Sequence, residues 1–299
     1  MISAQSFREK IAFVTYFDSN YLFLGEALIE SLKKYDIHVI VNCLDSVTFS
    51  ALSDKDGVTA VNLQLDAPEI FGLHKTRDFR SWVWMLSSLI VYKTIQDFRE
   101  LDVVVYCDAD LLFYRNPLTL LGNFYESNKD VMVSPHHYNS GIDGYLTSGA
   151  YCVQFMAFKR TSIDIVKDWK NKCIGNSGFV PGVVFGDQYY VNEWINDFPN
   201  RVYVQDFEFS ILAPWNLKTI TISNAIAFHL HGIKFSRICF SRSVLFTFGT
   251  YYVPKDVRRF LISTIFPVLA EFIKKSDIKR LREIPLKMMY FSRWILMKW

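Results

Sequence analysis

LDVVVYCDADLLFYRNP, residues 101–117, is the stretch on which the reading of this chain turns. Val103, Val104, Val105 and Tyr106 form a short apolar run rich in β-branched residues. A run of that length reads as a strand buried on both faces. Asp108 and Asp110 follow at its C-terminal end, which in an open parallel sheet is where ligands bind. Two carboxylates one residue apart can share a hard divalent cation such as Mg²⁺ or Mn²⁺, which prefers oxygen ligands. Burying them unpaired is costly, so the pair needs a metal, a basic partner or water. Acidic residues are also ordinary turn formers. Here, however, Leu111, Leu112 and Phe113 resume the apolar pattern, so the aspartates are not simply the start of a solvated loop.

The rest of the composition suits such a sheet. The chain has 299 residues, 51% hydrophobic and 16% aromatic, enough for one large domain with an appendage and incompatible with global disorder. Its five cysteines (Cys43, Cys107, Cys152, Cys173, Cys239) are scattered and contain no CxxC, which points to buried reduced thiols rather than a disulfide framework or zinc site. The first apolar run is interrupted by charge and lacks a cleavage pattern, so no secretory signal peptide is expected. No run of about 20 apolar residues predicts a bilayer-spanning helix. The expected compartment is the cytoplasm, with peripheral placement on the inner face of the cytoplasmic membrane. The net charge of +3 hides an asymmetry: residues 255–299 hold 11 Lys/Arg against 4 Asp/Glu, leaving the remainder with 22 against 26. An acidic body with a basic tail suggests that the tail meets an anionic surface.

Upstream of the aspartates, Ile11–Tyr16 reads as the first strand. A break at Phe17–Asn20 follows, where Asp18 or Ser19 is placed to cap a helix carrying Leu22, Leu24, Ala27, Leu28 and Leu32. Ile37–Leu44 and Val58–Leu63 are further strands, and their spacing argues for right-handed parallel βαβ units. The turn after the first strand then lies beside the turn carrying Asp108. Thr15, Tyr16 and Asp18 become candidates for holding a nucleotide's base and ribose, with strand-end packing as the alternative. The basic cluster His74–Arg80 precedes a helix from about Trp82 to Phe98. Arg77 or Arg80 is expected to point to a diphosphate or to balance the carboxylates, unless the cluster is a solvated face. Trp82, Trp84 and Tyr92 are expected in the core.

Downstream, Val131–Pro135 is a short strand, and the loop His136–Gly141 is expected to form a mobile lid or acceptor rim. Tyr151–Phe158 is extended, Ile163–Cys173 is helical with Trp169 in the core, and Gly175–Phe185 is a loop. Asp187 then stands at the N-cap of a helix beginning near Tyr189, where a cap alone would explain it; a helix N-terminus in a cleft also suits a sugar. Near the end of the fold, alternation in FHLHG puts His229 and His231 on one face, either of them a further ligand for Mn²⁺.

With DxD, GDQ, PWN and HLHGIK in that order, residues 11–236 resemble GT-A glycosyltransferases of the family 8 type and bacterial nucleotide-diphospho-sugar transferases related to them. The resemblance implies a mostly parallel, Rossmann-like α/β sheet flanked by helices, a nucleotide-sugar donor expected to be a UDP-sugar, and a divalent metal, usually Mn²⁺. It implies that Asp108 and Asp110 bind metal and diphosphate. His229 matches the family's HxxG histidine, and Lys234 is similar to its diphosphate lysine, though one residue nearer the glycine than usual. Asp187-Gln188 resembles the DQ pair at the transferred sugar. The reaction so implied retains the anomeric configuration; in an inverting reaction Asp187 would be the general base.

The acceptor expected from this reading is a glycan or glycolipid, and no nucleic-acid partner is expected. Residues 1–250 form the transferase domain and 251–299 basic amphipathic helices. In these, Val257–Ile273 and Ile278–Trp299 mix aromatics with cations, as a helix lying on an anionic leaflet does, or as a helix pair packed on the domain does. Two other functions use the same features: a sugar-nucleotide nucleotidyltransferase, and a non-catalytic membrane-bound sugar-nucleotide-binding protein.

Overall fold

The computed structural model describes residues 9–142, 144–176, 178–180, 184–238, 244–249, 251–275, 282–284 and 295–297. The chain opens with β1 (Ile11–Phe17), α1 (Leu22–Lys33), β2 (His38–Cys43), α2 (Ser46–Leu52) and β3 (Val58–Asn62). After a run of short helical turns come α3 (Phe79–Asp97), β4 (Val103–Cys107), β5 (Leu111–Phe113), α4 (Leu118–Glu126) and β6 (Val131–Pro135). Next are α5 (Gly144–Ser148), β7 (Tyr151–Lys159), α6 (Ile163–Gly175), α7 (Gln188–Val191), β8 (Val202–Val204), β9 (Ser210–Leu212) and β10 (Ala225–His229).

The central sheet has seven strands in the order β8-β6-β7-β4-β1-β2-β3. Every pairing within it is parallel except those of β7, which runs against β4 and β6. From β1 the chain builds outward to β3, then returns to lay β4 on the other flank of β1. That reversal leaves a crevice beyond the C-terminal ends of β1 and β4, the place where open α/β sheets bind ligands.

The apolar runs in β1 and β4 follow from their position. Phe13 and Val105 face one core with Leu28, Leu32 and Phe124. Val14, Val104 and Tyr106 face the other, with Met85, Leu86 and Trp169. A strand covered by helices on both sides has no polar face to show.

Local chemistry moves some boundaries. The Asp18 side chain does not cap α1; it accepts from Asn20 N at 3.0 Å, closing a turn, and the cap position falls at Tyr21. Helix α3 starts three residues early because Asp78 accepts from Ser81 N at 3.1 Å. Within the expected loop 175–185, Phe179–Val180 pairs with Val184–Phe185 as a small antiparallel hairpin.

At the C-terminus, α8 (Lys255–Phe260) runs through a π-helical turn, Leu261–Ile265, into α9 (Phe266–Lys275). Val257, Leu261, Ile265, Leu269 and Phe272 are buried with Leu24 and Ala27 of α1 and Phe228 of β10. The apolar side of Val257–Ile273 therefore packs on the domain, and the helix is amphipathic because it has a protein surface to cover. Strands β11 (Lys234–Ile238), β12 (Val244–Thr247), β13 (Arg282–Ile284) and β14 (Ile295–Met297) make a sheet in the order β13-β11-β12-β14. The rest of Ile278–Trp299 lies outside the described residues. Among the described residues no helix is long and apolar enough to cross a membrane. Cys43, Cys107, Cys152 and Cys173 are free and buried, as expected of reduced thiols; Cys239 lies outside the described residues.

Candidate active site

Three elements build the site. Asp108 and Asp110 sit on the turn between β4 and β5. Strand β5 then pairs antiparallel with β10, in a register that sets Leu111 opposite His229. Leu230 N donates to Asp110 O at 2.8 Å and locks that register. The His229 Nε2 atom consequently lies 3.0 Å from an Asp110 carboxylate oxygen and 3.7 Å from one of Asp108. One ligand atom from each of the three residues falls within 4.8 Å of the others. Tyr106 donates its hydroxyl to Asp108 at 2.8 Å, fixing the carboxylate at the strand end.

The electrostatics of the cluster leave a deficit of positive charge. Burial raises the Asp108 carboxyl to about 6; His229 pulls it back and Asp110 adds to the rise. Burial also acts upward on Asp110, but the charge and hydrogen bond of His229 outweigh it and leave that carboxyl below the usual range. Burial opposes protonation of His229, whereas the two carboxylates raise it overall. Two carboxylates against one imidazole call for a further cation. Two oxygens and one imidazole nitrogen are a donor set that Mn²⁺ accepts well, and Mg²⁺ less readily because of the nitrogen. The residues fit a divalent metal.

Two cavities meet at this cluster. The first, about 460 Å³, runs along the ends of β1 and β4 past Tyr16, Asp18, Tyr21, Arg80 and Trp84 to Asp110. The second, about 480 Å³, lies on the β7 side and includes His136, Tyr138, Ser148, Asp187 and Trp215 in its wall. Asp108, His229 and His231 line both. His231 is exposed, and its ring centre stands 5.3 Å from that of His229; both rings abut Trp215 edge to face. The three-residue cluster contains His229 and not His231.

Other expected site residues are distributed as follows. Tyr16 and Asp18 reach the first cavity, with the Tyr16 hydroxyl tied to Val83 O at 2.8 Å. Thr15 is fully buried and lines neither cavity. Arg80 lines the first cavity, its guanidinium 5.8 Å from the Trp84 ring centre. Arg77 does not: it donates to Ile174 O and so caps the carbonyl end of α6. Lys234 is exposed on β11 and lines neither cavity.

Asp187 is buried at the floor of the second cavity, and burial raises its carboxyl to about 7. Ser87 of α3 donates to one carboxylate oxygen, Gln188 N donates to the other at 3.0 Å, and Trp169 Nε1 donates to the Asp187 carbonyl at 3.0 Å. Gln188 lines the same cavity, but its amide is engaged at both ends: Nε2 donates to Ser148 O at 2.6 Å and Oε1 accepts from Val153 N at 3.3 Å. Asn192 extends this staple, accepting from Ala150 N and Tyr151 N at 2.6 and 2.9 Å. Gln188→Ala removes two side-chain bonds to partly buried backbone groups, a loss of about 2 kcal/mol. A melting temperature roughly 4–8 °C below the parent is the expected result in thermal denaturation.

Sequence reading placed Trp84 in the core, yet it is partly exposed and lines both cavities. The available signal was its spacing from Arg80, one helical turn away on the same face. Trp215 carries the signal of the PWN motif, whereas Ser87 carries none, because only the fold brings it to the site.

No family model matches the chain. It is 28% identical over 204 residues to the uncharacterized protein YfnF of Bacillus subtilis strain 168, covering 63% of this chain and 67% of the other. Among solved structures it is similar to a glycosyltransferase involved in glycosylation of the major capsid of PBCV-1, with a TM-score of 0.51 and 12% identity over 74% of this chain and 93% of that one. The two chains share a fold. Apo WbbM, a bifunctional glycosyltransferase, overlaps more weakly (TM-score 0.48, 15% identity, 76% of this chain and 46% of that one). The mostly parallel sheet flanked by helices matches the GT-A arrangement expected from the DxD strand.

Proposed function

We propose that the chain is a metal-dependent glycosyltransferase of the family 8 type. It moves a sugar from a nucleotide-diphosphate donor, the UDP-sugar that the resemblance implies, to a hydroxyl of a glycan or lipid-linked saccharide of the lipopolysaccharide, O-antigen or capsule type. The anomeric configuration is retained. The observation that carries this reading is the meeting of two cavities at Asp108 and His229, beside Asp110. A transferase needs a donor pocket and an acceptor pocket that open on one reacting centre, and a metal held by these residues would supply its charge there.

In this reading Asp108, Asp110 and His229 hold Mn²⁺ or Mg²⁺, which when bound supplies Lewis-acid charge to the donor diphosphate. Arg80 adds fixed positive charge in the first cavity, where the leaving group gains negative charge. Tyr16, Tyr21 and Trp84 offer ring faces to the base and ribose. Asp187 orients hydroxyls of the transferred sugar. Gln188 acts through the backbone it staples. The basic residues past Lys275 bring the enzyme to an anionic membrane surface, where a lipid-linked acceptor resides.

The test is a panel of nucleotide-sugars incubated with the full chain and Mn²⁺ or EDTA. Release of nucleoside diphosphate that needs the cation, with a retained product by NMR, is the expected outcome. Pyrophosphate chemistry, or binding without turnover, would reject it. Flotation of the same protein with vesicles rich in phosphatidylglycerol tests the membrane placement; protein left at the bottom of the gradient rejects it.

A further inference from the structure

We propose that the second cavity binds the acceptor as a neutral pyranoside, held against the aromatic wall of Tyr138, Trp215 and Tyr251, and that it discriminates against acidic sugars. This rests on the transferase reading for its biological meaning, but not for its test.

The wall is built, not incidental. Tyr138 stacks on the buried His136 ring, with centres 4.6 Å apart and planes 13° from parallel. Trp215 meets His136 edge to face at 5.5 Å and donates its indole N–H to His136 O at 3.1 Å. Gly144 of α5 lies so close that a Cβ there would meet the Tyr138 ring at 2.3 Å. The glycine is therefore what lets the ring lie where it does. Burial pushes the His136 imidazole down to about 3, so the ring beneath Tyr138 is neutral.

Aromatic faces are electron-rich, and the C–H bonds on one side of a pyranose are their natural partners. Hydroxyls on the sugar's edges then need polar partners, which Thr147 and Ser148 provide on the same cavity wall. This mixture of mostly apolar lining with a few convergent polar groups is what small-ligand sites show.

Charge sets the class. Among the described lining residues of this cavity the charged side chains besides histidine are Asp108 and Asp187, whereas Arg80 belongs to the first cavity. A uronate, sialyl or phosphorylated sugar would bring a negative charge into a cavity whose described lining holds no Lys or Arg to meet it. A neutral hexoside meets no such cost.

The experiment is saturation-transfer NMR on the full chain with UDP and Mn²⁺, using methyl hexopyranosides as neutral probes and methyl glucuronide and glucose 6-phosphate as acidic ones. The neutral probes are expected to give at least fivefold more transfer than the acidic ones. That signal is expected to fall at least fivefold in Tyr138→Ala and in Gly144→Ala, and to persist in Tyr138→Phe, with melting temperatures showing that each variant is folded. Equal signals from acidic and neutral sugars, no signal from any, or an unchanged signal in Tyr138→Ala overturns the proposal. Tyr138-dependent sugar binding without donor turnover would sink the transferase reading alone. Donor turnover without sugar binding would sink this one alone.

Discussion

Asp108→Asn/Asp110→Asn is expected to cost about 10³-fold in cation-dependent turnover, equivalent to about 4 kcal/mol of transition-state stabilisation. The size follows from what is removed. Both oxygen donors lose their charge at once, leaving one imidazole, which is too little to hold a divalent ion against its hydration shell. Release of nucleoside diphosphate with and without Mn²⁺ measures the loss. Full activity in the double variant would refute the central assignment. A second readout separates a lost site from a lost fold. The side chains of Asp108 and Asp110 are 28% and 14% exposed, so in EDTA the parent holds two poorly solvated like charges together. The amides remove that repulsion and can still accept from His229 Nε2. The variant should melt in EDTA no lower than the parent, while Mn²⁺ raises the melting temperature of the parent alone.

Asp187→Asn should separate activity from stability in the opposite sense. Asp187 is 4% exposed, and burial raises its carboxyl to about 7, against an ordinary value near 3.9 in an unfolded chain. Between those two pH values the folded protein holds the extra proton, so the parent loses stability as pH rises through the window. The full difference is about 4 kcal/mol, reached above pH 7. Asparagine never ionises and is spared that loss. Its amide can take the same place, because the Ser87 hydroxyl can give its proton to Trp84 O, 3.1 Å away, and accept from the new N–H. In EDTA the variant should match the parent near pH 4 and exceed it by several degrees at pH 8, while glycosyl transfer falls about 10²-fold. Melting curves from pH 4 to pH 8 check the first part, and kcat with a turning-over donor the second. A variant that melts lower than the parent at pH 8 would mean that the carboxylate is stabilised by something other than the contacts seen.

Much of this was readable from the chain because local pattern and global fold agree. β1 and β4 are covered on both faces, so their runs are continuously apolar and announce a parallel sheet. The aspartates end such a run, so their position at the sheet's ligand-binding edge followed from the strand. His229 was visible through its spacing to Gly232, though not its preference over His231, which depends on where β10 stops. Other placements were not legible because sequence does not encode reach. Arg77 and Arg80 are neighbours on one basic stretch, yet one turns to a helix end and the other to a cavity. Gln188 has the residue type of a sugar ligand, but its amide is spent on backbone that only tertiary packing brings near. The C-terminal apolar stripe of Val257–Ile273 has the same composition whether it meets lipid or α1. Trp215 lies in the PWN motif and Tyr138 in the loop read as an acceptor rim, but Ser87 reaches the site from mid-helix and leaves no local trace.

If the site holds a metal as proposed, the β5–β10 ladder would tie its capture to correct assembly. While the chain is being synthesised, the acidic half of the site exists long before the strand that carries the imidazole, and two carboxylates on a turn hold a divalent ion poorly. Only when β10 docks in the register that sets His229 opposite Leu111 is the third donor delivered. A slip of one residue would turn the imidazole to the opposite face. A divalent ion held there would therefore favour one threading of the chain over its nearest competitors, selecting the correctly built site as well as occupying it.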